Sequence, residues 1–223
     1  MKSNTRTKPI KSVSPKRVAH QVRIIGGQWK RSLLTVVDAE GLRPTPDRVR
    51  ETAFNLLNHL IDGDWQRKSC LDLFAGSGSL GFEAASRGAK QVMMVESHTP
   101  AFKQLEQVKD KLGATQIQLI RGDASRVTDN LVAQQQRFDM IFLDPPFHQD
   151  WLPRLLPACA RLLTAGGVIY VEAEHALPEV EAAQTASNLL DGWQVIRADK
   201  AGSVYFHILQ RNILQHESHE NQA

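Results

Sequence analysis

A chain of 223 residues, 42% of them hydrophobic, is long enough for one α/β domain with a modest extension and can fill a sizeable core. Its net charge of +3 conceals an uneven split: residues 1–50 hold twelve Lys or Arg against three acids, a balance of +9 that leaves −6 for the remainder. No run of about 18 apolar residues suits a membrane span and no apolar segment follows the basic N-terminus, so a cytoplasmic protein with a basic segment facing nucleic acid is expected.

Residues 1–20 lack hydrophobic periodicity and are rich in Lys, Arg, Ser, Thr and Pro, which predicts a disordered basic arm, either a nucleic-acid contact or a solubilising tail. Residues 21–41 form the next unit. Within it, β-branched runs flank a Gly26-Gly27 break, which predicts a small hairpin with Arg23, Gln28, Trp29, Lys30 and Arg31 around its turn. Basic residues interleaved with an aromatic suit phosphate contact and base stacking, and the same pattern suits a hairpin that caps the core with Trp29 buried.

Residues 42–212 read as the main domain, followed by a polar frayed tail over 213–223. Its first element is an amphipathic helix over the stretch Leu42 to Leu60, with Val49, Ala53, Phe54, Leu56, Leu57 and Leu60 at helical spacing and Thr45 or Asp47 as its cap. Arg43, Arg48, Arg50 and Glu51 crowd its start and read most simply as a solvated charged face.

The stretch Leu71 to Glu83, LDLFAGSGSLGFE, organises the rest. A strand over 70–74 runs into a turn containing Phe74, Gly76, Ser77 and Gly78, and then into a helix from about Ser79. Gly76, Gly78 and Gly81 form a G-x-G-x-x-G, whose glycines let backbone approach a nucleotide closely. Glu96 ends the next apolar run, 20 residues after Gly76, where an acid can accept from ribose hydroxyls. NAD would be served equally well by those two features. Asp72 argues against it, because a carboxylate beside the glycine turn repels a pyrophosphate and attracts a ligand carrying sulfonium and ammonium groups. S-adenosylmethionine is such a ligand.

Strand and helix patterns then alternate: helix 79–88, strand 91–96, helix 98–112, strand 116–121, helix 124–135, strand 138–143, helix 150–163, strand 166–172, helix 178–190, and a final pair 193–199 and 203–210. Repeated β-α units imply a parallel sheet covered on both faces, with ligands at the strands' carboxyl ends, and the short last connection requires a hairpin with one antiparallel strand. Cys70 and Cys159 lie in apolar runs without Cys or His at ligand spacing, so buried free thiols are expected and neither a disulfide nor a metal site is. Asp123, with Ala124 after it, follows the third strand of the sheet. Its carboxylate can accept from the adenine amino group, or cap the next helix.

Asp144-Pro145-Pro146-Phe147 follows the fourth strand and is the most specific signal in the chain. Two prolines stiffen the loop and remove two backbone donors, leaving carbonyls as acceptors towards an exocyclic amine. Such an amine is a poor nucleophile because its lone pair is delocalised into the ring. Accepting its hydrogens at Asp144 and the Pro145 carbonyl favours the pyramidal nitrogen that attacks a methyl group, while Phe147 can stack on the base.

With these residues in place the chain resembles the class I S-adenosylmethionine-dependent methyltransferases of the amino-methylating branch. RIIGGQWKRSLL at 23–34, GLRPTPDRVRETAFNLL at 41–57, LDLFAGSGSLGFEA and FLDPPF together resemble the bacterial 16S ribosomal RNA guanine-N2 methyltransferase family, over about Val22 to Arg211. The resemblance implies a Rossmann-like fold: a seven-stranded, mostly parallel sheet with a C-terminal antiparallel hairpin, plus the small N-terminal hairpin. It also implies S-adenosylmethionine held partly by Arg43, Pro44 and Thr45, and direct methyl transfer without a metal to guanine N2 in 16S rRNA. An assembled or partly assembled 30S particle is the expected substrate, because folded rRNA with bound proteins can hold the target loop in place, and a monomer is expected. Pro46 departs from the second Thr expected there, and its fixed φ suits a helix start. A methyltransferase acting on DNA adenine or a protein amide, and an rRNA-binding assembly factor without turnover, are the competing readings.

Overall fold

The computed structural model describes residues 21–36, 46–177, 189–201 and 204–212. The expected basic arm over 1–20, the expected cofactor contacts of Arg43, Pro44 and Thr45, most of the expected helix over 178–190 and the tail over 213–223 therefore lie outside the described residues.

Fifteen elements follow in chain order, among the described residues. They are β1 (Gln21–Arg23), β2 (Leu33–Thr35), α1 (Asp47–Leu60), a 3-10 turn (Trp65–Arg67), β3 (Ser69–Asp72), α2 (Ser79–Ser86), β4 (Gln91–Glu96), α3 (Thr99–Leu112), β5 (Ile117–Arg121), α4 (Ala124–Ala133), β6 (Phe138–Leu143), α5 (Trp151–Leu162), β7 (Leu163–Ala173), β8 (Trp193–Ala201) and β9 (Val204–Arg211). Strands β4 and β6 have the bounds their apolar runs predict, because each run is stopped at both ends by polar or turn residues. The expected strand at 166–172 is longer. Leu163 already pairs with Phe138, and the register shifts between Phe138 and Met140, so Thr164 to Gly167 enter the strand through an irregularity that reads in sequence as a turn.

The main sheet has the order β5-β4-β3-β6-β7-β9-β8. Neighbours from β5 to β7 are parallel, β9 runs antiparallel to β7, and β8 pairs antiparallel with β9, as the short final connection requires. Direction of travel reverses between β3 and β6: β3 passes to β4 on one side, while β6 lies on the other. The carboxyl ends of that strand pair form the crevice in which open α/β sheets bind ligands.

Two apolar layers cover the sheet. Cys70, Met94, Met140, Phe142, Val168, Tyr170 and Phe206 pack on one face with α1, α2 and the N-terminal hairpin; Leu71, Met93, Ile141, Leu143, Ile169 and Val171 pack on the other with α4 and α5. Alternation along each strand thus fixes which side every following residue takes. Helix α1 lies over β6, where the Phe54 and Phe142 ring centroids are 5.7 Å apart. Both cysteines are fully buried and free.

Strands β1 and β2 pair antiparallel, Val22 opposite Leu34, and their connecting turn is fastened to the end of α2. Glu83, fully buried, accepts from the N–H groups of Ile25 (2.6 Å) and Gly26 (2.9 Å), and also from Arg87 Nε (2.8 Å). Ser86 Oγ donates to the Gly26 carbonyl and accepts from Trp29 N–H, while the Gln28 N–H reaches the Ser86 carbonyl. A Cβ on Gly27, whose φ is +74°, would stand 1.8 Å from the Ser86 carbonyl oxygen. Gly27 is therefore required by this close approach as well as by the turn.

Helix α1 begins differently from expectation. Pro46, with φ −56°, occupies the cap position, and Asp47 is the first helical residue, with no side-chain cap. The Asp47 carboxylate instead holds Arg23 (2.5 Å) and Arg50 (2.6 Å). Arg50 does not join a solvated charged face: its side chain is fully buried, with Nη2 donating also to the Arg23 carbonyl and with Nε and Nη1 unpartnered among the described residues.

Candidate active site

The four strands at the crevice deliver one acid each to the same face. Asp72 ends β3 in register with Met94 and Phe142, and Phe142 pairs with Tyr170. Side chains two residues apart share a face of a strand, so Asp72 (two after Cys70), Glu96 (two after Met94), Asp144 (two after Phe142) and Glu172 (two after Tyr170) all stand on the α1 side at the carboxyl edge. Among the described residues no group of three or more His, Cys, Asp or Glu converges as a metal site would.

Asp72 is fully buried and accepts from Phe74 N–H (3.3 Å) and Gly81 N–H (3.1 Å), so it ties the glycine turn to the first turn of α2. Burial pushes its carboxyl up to about 7 against the two hydrogen bonds, with the Glu96 charge adding to the rise. A positive group entering beside it would favour the ionised form. Gly78, with φ +83°, caps α2 in a conformation other residues avoid, and a Cβ there would meet Phe82 at 2.4 Å.

Glu96 is half-buried. Its Oε2 accepts from Gly76 N–H at 2.7 Å and its Oε1 from His98 N–H at 2.6 Å, which locks the acid beside the turn. Ser77 is half-buried in that turn, and Phe74 meets Trp151 edge to face at 5.1 Å. Asp123 is exposed and accepts from Arg126 N–H at 3.1 Å, so it caps α4, whose first residue Ala124 is buried.

Asp144 is half-buried on the far side of the switch from Asp72, with Pro145 buried behind it and Pro146 and Phe147 exposed. Its carboxyl is held well above the usual carboxylate range, first by burial, then by the charges of Glu172 and Asp72. After Phe147 the loop is pinned by Glu174, which takes the His148 backbone N–H and the His148 ring. Asp72, Glu96, Asp144 and the glycine turn are thus brought together at one crevice.

The turn from Gln28 to Arg31 is not among them. It packs at the end of α2, and α2 runs from the carboxyl edge back towards the start of β4, so the turn occupies the opposite edge of the sheet. Trp29 is half-buried against the core, Gln28, Lys30 and Arg31 are exposed, and Arg23 is engaged by Asp47. Sequence reasoning passed over Glu172, 2% exposed, whose Oε1 accepts from Tyr170 OH at 2.9 Å. An acid inside the apolar run VIYVEA was the available signal.

The family model described as "Conserved hypothetical protein 95" matches residues 22–210. A relative from Haemophilus influenzae is 35% identical over 204 residues, covering 90% of this chain and 100% of its own, and one from Escherichia coli K12 is 37% identical over 199 residues, covering 86% and 90%; both are named ribosomal RNA small subunit methyltransferase D. A solved Escherichia coli structure, named "Putative methyltransferase yhhF", superposes with a TM-score of 0.68 at 33% identity, covering 86% of this chain and 98% of that one. The glycine turn, the acids on successive strands and the Asp-Pro-Pro-Phe loop stand on a chain that belongs to this family, the one that includes the ribosomal RNA small subunit methyltransferases D.

Proposed function

We propose that the chain transfers a methyl group from S-adenosylmethionine to the exocyclic N2 amine of a guanine in 16S ribosomal RNA, within an assembled or partly assembled 30S particle. The observation that supports this reading is that Asp144-Pro145 follows β6, the strand paired with β3 at the switch point, so the proposed amine acceptors stand beside the strand end that carries Asp72 and the glycine turn. The names of the relatives support rRNA as the substrate. Four carboxylates on one face suit a ligand carrying ammonium and sulfonium charge and disfavour a pyrophosphate.

S-adenosylmethionine supplies a methyl group on an electrophilic sulfonium. Asp72 and the Gly76–Gly78 turn would hold its methionine end, with Arg43, Pro44 and Thr45 assigned to the same end by family resemblance, and Glu96 would face its ribose. Asp123 would border the adenine. Asp144 and the Pro145 carbonyl accept the two amine hydrogens, which localises the nitrogen lone pair, and Phe147 stacks on the splayed base. Positioning and charge do the work, so Asp144 orients and polarises the amine. Arg23, Gln28, Trp29, Lys30 and Arg31, with the basic arm, contribute backbone contacts that orient the particle without reading sequence.

The test offers the purified protein methyl-labelled S-adenosylmethionine with naked 16S RNA and with 30S particles lacking the modification, followed by mapping of the label. Label on N2 of one guanine is expected, with particles the better substrate. Label on adenine, on protein, or on nothing despite bound S-adenosylmethionine would overturn the reading.

A further inference from the structure

Glu172 lies beside the residue that receives the amine. Leu143 pairs with Val171 in the parallel β6–β7 ladder, so the next residues, Asp144 and Glu172, are cross-strand neighbours on one face, with backbones about 5 Å apart. Glu172 is almost completely buried and its Oε1 is fixed by Tyr170 OH, whose ring meets Phe142 edge to face at 6.2 Å. It therefore sets a second buried carboxyl group directly beside Asp144 at the reacting edge of the sheet.

Building on the methyl-transfer reading, we infer that Glu172 is a positioning residue whose carboxylate, set beside Asp144 on the neighbouring strand, makes Asp144 the acceptor of the proton that the methylated amine gives up. The nitrogen lone pair forms the new N–C bond as the C–S bond breaks, its electrons going to sulfur to leave a neutral thioether. The nitrogen, now positive, passes one proton to the Asp144 carboxylate, which releases it to water as product leaves. Two acids side by side do not both hold full charge comfortably, so each favours the other's protonation.

The other groups around Asp144 leave that direction intact. Asp72 from β3 and Glu96 from β4 add negative charge, and Tyr170 faces Glu172. Among the described residues, Arg50 from α1 is a cation acting on Tyr170, with Nη2 committed to Asp47 and the Arg23 carbonyl. Glu174 pairs with His148 on the adjoining loop. Of the charges acting on Asp144, Glu172 is the foremost and Asp72 the next.

The experiment is the pH profile of single-turnover methylation by the full chain, with Glu172→Gln and Glu172→Asp beside the parent and S-adenosylmethionine binding measured for each. Removing the neighbouring charge makes Asp144 easier to ionise, so the acidic limb of the Glu172→Gln profile should move down by about one pH unit, and the plateau rate should fall several-fold as Asp144 becomes a weaker base. Glu172→Asp, which keeps the charge, should restore most of the limb. A Glu172→Gln limb that stays in place or moves up, with cofactor binding intact, would overturn the inference while leaving the methyl-transfer reading standing. Carboxyl-labelled parent protein gives a second readout independent of activity and of how the variants fold. Its Asp144 signal, assigned with Asp144→Asn, should titrate above the ordinary carboxylate range, and an ordinary titration would equally sink the inference.

Discussion

The buried carboxylate of Glu83 accepts the backbone N–H of Gly26 at 2.9 Å across 57 residues of sequence, and through that contact the N-terminal hairpin becomes part of the domain that carries the site. The same carboxylate also takes Ile25 N–H and Arg87 Nε, so three donors depend on one side chain.

Glu83→Ala should therefore leave those donors without their acceptor. A loss of about 2–4 kcal/mol is expected, since each unsatisfied buried donor costs roughly 1–3 kcal/mol and some will find water. Urea unfolding measures it. A midpoint equal to the parent's would mean that the hairpin is held by apolar contacts alone.

Sequence legibility divides along physical lines. Strands β4 and β6 could be read with their bounds because both are short apolar runs between polar stops, and the switch-point acids followed from their places at strand ends. Glu83 could not be read, because an acid within a short helix looks like a solvated face and its partners come from 57 and 58 residues earlier. Arg50 failed for a similar reason: a charged residue at a helix start is ordinarily exposed, and only the approach of Arg23 and Asp47 shows it to be buried. The place of the Gln28–Arg31 turn was invisible as well, since sequence records the basic residues and not the end of α2 on which they rest.

Asp72 should make the ligand-free protein less stable as pH rises. Burial holds its folded carboxyl up at about 7, well above the ordinary carboxylate range, so the folded state keeps a proton the unfolded chain releases. The contribution is fully present below the unfolded value and is lost as pH climbs through about 7. The expected fall is on the order of 4 kcal/mol for such a shift. Denaturant midpoints of the parent and Asp72→Asn across that window give the comparison: the parent's should decline and the variant's should be flatter. Parallel slopes would remove Asp72 as the titrating group.

Lys30 and Arg31 are exposed on the edge away from the crevice, so their part in RNA binding would be electrostatic. Replacing both with Ala should weaken particle binding and flatten its salt dependence by about 0.7–0.9 log unit per lost phosphate contact, with S-adenosylmethionine affinity unchanged. Filter binding over a salt series reads this directly. Unchanged slopes would move the RNA surface elsewhere on the domain.

The most direct measurement is single-turnover methylation of the 30S particle by Asp144→Ala, alongside calorimetric titration of the same variant with S-adenosylmethionine. In the proposed reading Asp144, following the strand paired with β3, meets the amine and not the cofactor, so cofactor affinity should be retained while the rate falls by roughly 10²-fold or more, the loss expected when a positioned polar group acts chiefly in the transition state. A variant that binds S-adenosylmethionine and methylates the particle at the parent's rate would contradict the assignment of this loop to the chemistry.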